Sequence, residues 1–291
     1  MTICSETTQL KDTVLHLLAA SGTTDQTNYG NDGSYQGGMG TAEGTQGLEY
    51  VFDGSDDYID TPDDSDASTA GVLTFEDTDG FTLSVWYKGT DTDANGDLGK
   101  VLIGRDNGDI GANFILRSGY AEYLHYNSGW YHTIVSSTLV ADGAWHHICY
   151  VNHTDETGDL YIDGVAEIEG VSSSISIARK MTCNHIGRGY NGQYTSGSLK
   201  DIRIISRAIT VTEIRELYNA TARPTLDNEV LKLQPATGLV DQSAAGQANA
   251  VENGTGQIQV GRRFEFNGTD DYLSVPTSAN SMTQTCRYRS G

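Results

Sequence analysis

Three stretches of the chain carry side chains whose types and spacing could do chemistry. Asp91-Thr-Asp93-Ala-Asn95-Gly-Asp97 sets carboxylate and amide oxygens at the spacing Asp-x-Asp-x-Asn-Gly of a calcium loop, and hard cations take oxygen ligands of this kind. The twelfth position is Leu102 instead of Glu and no helices are expected to flank it, so a solvated Asn-Gly turn competes with the metal. The second stretch, Gly119 to His132, places Tyr120, Tyr123, Tyr126, Trp130 and Tyr131 among amides and a carboxylate. Aromatic faces stack on the C–H faces of sugar rings while polar neighbours bond the hydroxyls. These five are candidate ligand-binding residues, with Tyr190 and Asn191 as a second group; alternation along a strand would bury half of such a run. The third is the pair His146-His147. Neighbours on a strand point to opposite faces, so the two cannot hold one ion. His125 and His132, set among tyrosines, read as surface residues.

Enzyme signatures are otherwise absent. There is no His-Glu-x-x-His, no Gly-x-Ser-x-Gly and no Walker loop. Gly187-Arg-Gly-Tyr-Asn-Gly192 spells Gly-x-Gly-x-x-Gly, but no helix follows to supply amides and a dipole to a pyrophosphate, so it reads as a loop. A formal charge of −21 argues against nucleic acid, whose binding rests on neutralising phosphates with Lys and Arg. The four cysteines, Cys4, Cys149, Cys183 and Cys286, lack the close pairs of a zinc site. Cys149 and Cys183 could be neighbours, and buried free thiols are the commoner outcome. Met1 to Asp12 shows no signal peptide, and Leu15–Ala20 is too short an apolar run to span a membrane.

The elements that must position these residues are strands. Gly is frequent (34) and Pro scarce (4), the usage of short strands joined by tight turns. Trp145–Val151 is aromatic and β-branched, without Gly or Pro. Leu160–Ile162 and Val165–Ile168 flank Asp163-Gly164, a dipeptide suited to the positive φ angles of a type I′ turn. In Phe81–Lys88, Phe81, Leu83 and Val85 alternate with Thr82, Ser84 and Trp86. Thr210–Ala220 is the one convincing helix, with Ile214, Leu217 and Tyr218 on one face and Thr210 or Thr212 as cap.

Together, Phe52-Asp-Gly-Ser-Asp-Asp-Tyr-Ile59, Phe81-Thr-Leu-Ser-Val-Trp-Tyr-Lys88, Ala144-Trp-His-His-Ile148, Leu160-Tyr-Ile-Asp-Gly164, Gly197-Ser-Leu-Lys-Asp-Ile-Arg-Ile204 and the late helix resemble the laminin-G-like, concanavalin-A-like (pentraxin-like) jelly roll. The resemblance implies an all-β fold, a two-sheet antiparallel jelly-roll sandwich with one short late helix over residues 14–222, with Trp145 and one histidine packed within it. Residues 1–13 form an N-terminal extension and 223–230 a linker. From 231 the chain starts over: Phe266-Asn-Gly-Thr-Asp-Asp-Tyr-Leu273 repeats Phe52–Ile59, so 231–291 reads as an incomplete second copy.

Many such domains hold one Ca²⁺ at a loop-lined rim, which implies Asp25, Asp57 and Asp201 as ligands here, with Asp91, Asp93, Asn95 and Asp97 as the alternative. The function implied is a non-catalytic recognition or assembly module outside the cell or on a virion surface, as a decoration, fibre or tail protein, binding glycans or neighbouring subunits. A fragment of a secreted adhesin or carbohydrate-binding module is one alternative. A glycan hydrolase with carboxylates converging from separate strands, such as Asp109, Glu122 and Glu167, is another. The apolar Leu231, Leu233, Phe264, Phe266 and Leu273 of the second copy need a partner face, and strand pairing with another subunit is expected to supply it.

Overall fold

The computed structural model describes residues 10–44, 47–62, 73–76, 78–92, 99–104, 110–127, 130–172, 180–189, 192–222, 251–253, 258–259, 263–264 and 272–274. The chain divides into two compact units, Met1–Pro224 and Thr225–Gly291.

In the first unit the strands run β1 Thr13–Leu17, β2 Ser34–Gln36, β3 Gly40–Gly44, β4 Gly47–Asp53, β5 Tyr58–Asp60, β6 Thr74–Glu76, β7 Phe81–Lys88, β8 Lys100–Gly104 and β9 Ile110–Arg117. They continue with β10 Tyr120–Asn127, β11 Trp130–Leu139, β12 Trp145–Asn152, β13 Thr157–Ile162, β14 Val165–Ser172, β15 Lys180–Thr182, β16 His185–Ile186 and β17 Ser196–Ile205, followed by helix α1, Val211–Ala222. One sheet has the order β14-β13-β12-β7-β17-β4-β3 with β1 beside β17, and the other β11-β10-β9-β8-β16-β5-β2 with β15 and β6 attached. Pairing is antiparallel apart from a single parallel contact between β15 and β9. This is the expected two-sheet jelly roll with one late helix.

Alternation makes the core. Leu83, Val85 and Tyr87 of β7, Ile148 and Tyr150 of β12 and Leu199, Ile202 and Ile204 of β17 pack against Leu102, Phe114, Leu116 and Tyr123 of the other sheet. The residues between them face outward, where Cys149, Val151, Tyr161 and Ile205 meet Ile214 and Leu217 of α1. Without the helix these apolar groups would face water, so α1 acts as a roof. Its start is a capping box: Glu213 N donates to Thr210 Oγ1 (3.3 Å), and Thr210 N donates to Glu213 Oε2 (2.8 Å). Arg207 forks onto the same carboxylate, donating at 3.0 and 2.6 Å, and with that bond as the main cause holds Glu213 down to about 2.

The β13–β14 turn has the expected type I′ signature, with φ +53° at Asp163 and +74° at Gly164. Asp163 does more than turn the chain. Its Oδ1 accepts from His147 N (2.9 Å) and its Oδ2 lies 2.8 Å from His146 Nδ1, so the hairpin tip is tied to the start of β12.

Two expectations need correction. His125 is buried, 4% exposed, with its ring edge-on to Tyr123 at 4.7 Å, because residues 123 and 125 share the inward face of β10. Cys149 and Cys183 are both free and buried but occupy different clusters, under the helix and between the sheets respectively, so they are not neighbours.

In the second unit the described residues form two short antiparallel pairs, Val251–Asn253 with Tyr272–Ser274 and Ile258–Gln259 with Arg263–Phe264. Leu231, Leu233 and Phe266 lie outside the described residues.

Candidate functional site

The outward face of the helix-bearing sheet can be read row by row from its registers. Trp145 pairs with Lys88, Lys88 with Ser198 and Ser198 with Val51. One row inward, His147 pairs with Trp86 and Trp86 with Lys200. The helix reaches only the edge of these rows, where Tyr218 stacks on the Trp86 ring (5.6 Å, 12° between planes). Beyond Tyr218 the face is aromatic and charged, and half-buried Trp145 is its centre.

Two ammonium groups lie over the Trp145 ring, Lys88 Nζ at 4.9 Å and Lys200 Nζ at 4.3 Å from its centroid, and Lys200 also stands 5.2 Å from the Trp86 ring. Both distances are within the range of a cation–π attraction. Glu49 of β4 is the local countercharge: Lys88 Nζ donates to both its oxygens (2.9 and 3.0 Å) and Ser198 Oγ donates at 2.9 Å. Burial pushes the Lys200 ammonium down to about 8; Asp201 and Glu49 oppose this and Lys88 adds to it. The indole N–H groups of Trp86 and Trp145 find no acceptor among the described residues. The expectation that Trp145 packs within the sandwich is therefore corrected: odd-numbered residues of β12 face outward, and the roof stops short of it. His147 is buried on that same outward face, 2.8 Å from Ser84 Oγ, and burial lowers it to about 4.

The next row holds an ionic cluster in the interior. A β-bulge at Asp201 (φ +46°) lets Arg203 Nε donate to Asp201 Oδ1 at 2.7 Å, while His16 Nε2 sits 2.8 Å from the same oxygen. Burial alone would raise the Asp201 carboxyl; Arg203 and His16 outweigh it and hold it well below the usual range.

At the far end of the same strands lies a groove of about 710 Å³, between the β12–β13 turn (His153, Asp155, Thr157) and Arg207, with Asp159 and Glu169 in its wall. Asp159 in its wall takes His153 Nε2 (2.8 Å) and Gly170 N (2.7 Å), and Arg207 is held by Glu213. Among the described residues no Trp, Tyr or Phe lines it.

The expected ligand residues are not gathered into one site. Tyr120 is 37% exposed at the start of β10, but Tyr123 is stacked on Tyr150 at 3.7 Å between the sheets and is core, since three positions along a strand reverse the face. Tyr126, Trp130 and Tyr131 lie in described strand backbone, while their side chains, together with Tyr190 and Asn191, lie outside what is described.

The expected metal residues divide in the same way. Asp25 spends its oxygens on its own loop, accepting from His16 N, Thr27 N, Thr27 Oγ1 and Asn31 N. Asp201 is the partner of Arg203. Asp57 groups instead with Asp53 and Asp56, the one set of His, Cys, Asp or Glu ligand atoms among the described residues that lies within 4.8 Å. Asp25, Asp57 and Asp201 therefore do not converge. Asp91 stands 3.6 Å from Lys100, and Asp93, Asn95 and Asp97 lie outside the described residues.

Of the carboxylates weighed for hydrolysis, Glu122 is buried beside Arg117 (3.3 Å) and burial raises its carboxyl. Glu167 ties β14 to β11 by accepting from the Ser137 and Thr138 hydroxyls. Asp109 lies outside the described residues.

The two packed sheets define a jelly-roll sandwich. A laminin-G-type family model described as the concanavalin A-like lectin/glucanases superfamily matches residues 53–215, and the chain belongs to that superfamily. Among curated proteins none matches the sequence. Among solved structures it is similar to domain 4 of AbnA, an extracellular GH43 arabinanase of Geobacillus stearothermophilus in complex with arabinotriose (17% identity, TM-score 0.57, 71% of this chain and 98% of that one). It is also similar to the binding domain of Paraclostridial Mosquitocidal Protein 1 (13%, 0.55, 95% and 73%) and to the receptor-binding domain of botulinum neurotoxin D (14%, 0.55, 72% and 52%). At these identities the likeness is one of fold. Among the described residues no helix is long and apolar enough to cross a membrane.

Proposed function

We propose that the chain is a non-catalytic recognition module that binds carbohydrate on the outward face of the helix-bearing sheet, around Trp145. The observation that carries this reading is a half-exposed indole flanked by Lys88, Lys200, Glu49 and Ser198. An aromatic face for C–H stacking lies beside donors and an acceptor for hydroxyls, all on rigid strands. The arabinotriose-bound relative supports the ligand class. The rear groove, for all its volume, has no Trp, Tyr or Phe among its described lining residues. A glycan array on the intact protein tests the reading, followed by calorimetry with Trp145→Ala: bound glycans should lose at least ~10-fold in affinity, the scale of one removed aromatic contact. Glycans bound equally by both proteins would move the site elsewhere.

A second reading, assembly with other subunits on a virion or cell surface, is favoured by β3. It ends its sheet with Thr41, Ala42 and Glu43 exposed and one edge unpaired among the described residues. Light scattering of the intact chain and of a Thr41→Pro variant tests it; a monomer in both would exclude strand addition there.

A further inference from the structure

The strand that carries Trp145 is pinned at its start by one imidazole set between two carboxylates. We propose that His146 is a positioning residue for the Trp145 face and makes binding there pH-dependent. The charged ring bridges Asp142 and Asp163 and holds the first rungs of β12 in place for the ligand; the neutral ring releases one of the two. This rests on the carbohydrate reading above and adds its regulation by protons.

Geometry carries the inference. His146 Nδ1 lies 2.8 Å from Asp163 Oδ2, and His146 Nε2 lies 3.2 Å from Asp142 Oδ1. A carboxylate only accepts, and a neutral imidazole has one N–H to donate. Both contacts are therefore hydrogen bonds only when both ring nitrogens carry protons; otherwise a nitrogen lone pair faces a carboxylate oxygen. The longer contact, to Asp142, is the one the neutral ring gives up. The two carboxylates belong to different connections. Asp142 lies in the turn between β11 and β12, where its Oδ1 also accepts from Ala144 N (2.8 Å) and Gly143 N donates to Gly89 O (2.9 Å), just past β7. Asp163 is the tip of the β13–β14 hairpin and also accepts from His147 N (2.9 Å). The bridge thus closes on both chain neighbours of Trp145, at the end of the sheet where Trp145 pairs with Lys88.

The surrounding charges favour the bridged form. The bond to Asp163 raises His146 above its ordinary value; burial opposes this and Asp142 adds to it. The Ala144 N–H, with His146 contributing, holds Asp142 below the usual carboxylate range, so Asp142 stays ionised while the ring titrates. On β7 the residue paired with His146 is Tyr87, whose phenol burial pushes up, so it stays neutral throughout. The sign follows: affinity is highest while His146 is charged and falls as pH rises through its titration. By reciprocity, bound glycan raises the midpoint of that titration.

The experiment follows the His146 imidazole and the Trp145 indole N–H by NMR in the intact chain between about pH 5 and 8.5, with calorimetry of an array-selected glycan over the same range. The Trp145 signal should move with the His146 midpoint, and affinity should fall ~5-fold or more through it, the lower end of ordinary coupling between sites. Asp142→Asn keeps an oxygen for Ala144 N and for the charged ring but removes a charge. Both midpoints should therefore move down together, with affinity at the acid end within ~2-fold of the intact chain. His146→Gln should make affinity independent of pH over the range in which the ring titrated, with a melting curve confirming that it folds. An affinity that is flat across the range, or a midpoint that stays put in Asp142→Asn, overturns the inference and leaves the carbohydrate reading standing. A stationary midpoint near 8 would be that of Lys200. A silent glycan array with the Trp145 signal still tracking His146 overturns the carbohydrate reading and upholds the coupling; a Trp145 signal that ignores His146 overturns the coupling whether or not a glycan binds.

Discussion

Two halves of one sheet face, built from the same strands, are finished in opposite ways. Under α1, rows that include Cys149, Val151, Tyr161 and Ile205 are sealed by Ile214 and Leu217, and the one ionic group there, Asp201, is answered by Arg203 and His16. Past Tyr218 the rows end in Trp145, Lys88, Lys200 and Glu49, with the indole donors unmet among the described residues and two ammonium groups over one ring. The sealed half answers its buried carboxylate internally and covers its apolar groups, and so contributes stability. The open half leaves the two indole N–H groups without an acceptor among the described residues and keeps a half-buried ring within reach of solvent, the surface on which binding is proposed.

That comparison is sharpened most by Arg203→Met. It takes the guanidinium away from the buried Asp201 carboxylate, leaving His16 beside it, and should cost about 3–5 kcal/mol in urea unfolding; a loss under ~1 kcal/mol would mean the ionic cluster is not what closes this half. Leu217→Ala comes next, opening a cavity under the roof at about 2–5 kcal/mol in the same assay.

Titration separates the halves by pH. His147 sits at about 4 in the fold against an ordinary 6.5, so it is neutral when folded. The unfolded chain takes up its proton first as pH falls, and stability should drop by up to roughly 3 kcal/mol between pH 6.5 and 4, a slope that His147→Asn flattens. On the open half the shift has the alkaline sign. Lys200 at about 8 releases its proton before the unfolded chain does, so its contribution to stability should rise from pH 8 to 10.5 and vanish in Lys200→Met. The smallest effect belongs to Lys88→Gln, whose pair with Glu49 is partly exposed and whose removal should change stability by no more than ~1 kcal/mol.

The fold was legible because it is written in local signals. Alternation in Phe81–Lys88, Asp-Gly at 163–164 and the Thr210–Glu213 cap each specify their element without reference to distant residues. The site was not. Lys88 and Lys200 sit on strands adjacent in the sheet but more than a hundred positions apart in the chain, so nothing in the sequence places both over Trp145. The tyrosine run drew attention instead, although Tyr123 belongs to the core by parity with Ala121 and His125. Asp25 and Asp201 read as metal ligands because an acidic residue at a turn or bulge has the same composition whether it bonds an ion or a backbone N–H. In the folded chain Asp25 bonds its loop and Asp201 bonds Arg203.

The most direct test of the central claim is calorimetric titration of an array-selected glycan into the intact chain and its Trp145→Ala variant, with melting curves of both. The account predicts at least ~10-fold weaker binding by the variant, while its melting temperature falls by no more than ~5 °C because Trp145 is only half-buried. Undiminished binding by a folded Trp145→Ala protein, with loss of binding in Tyr120→Ala instead, would contradict it.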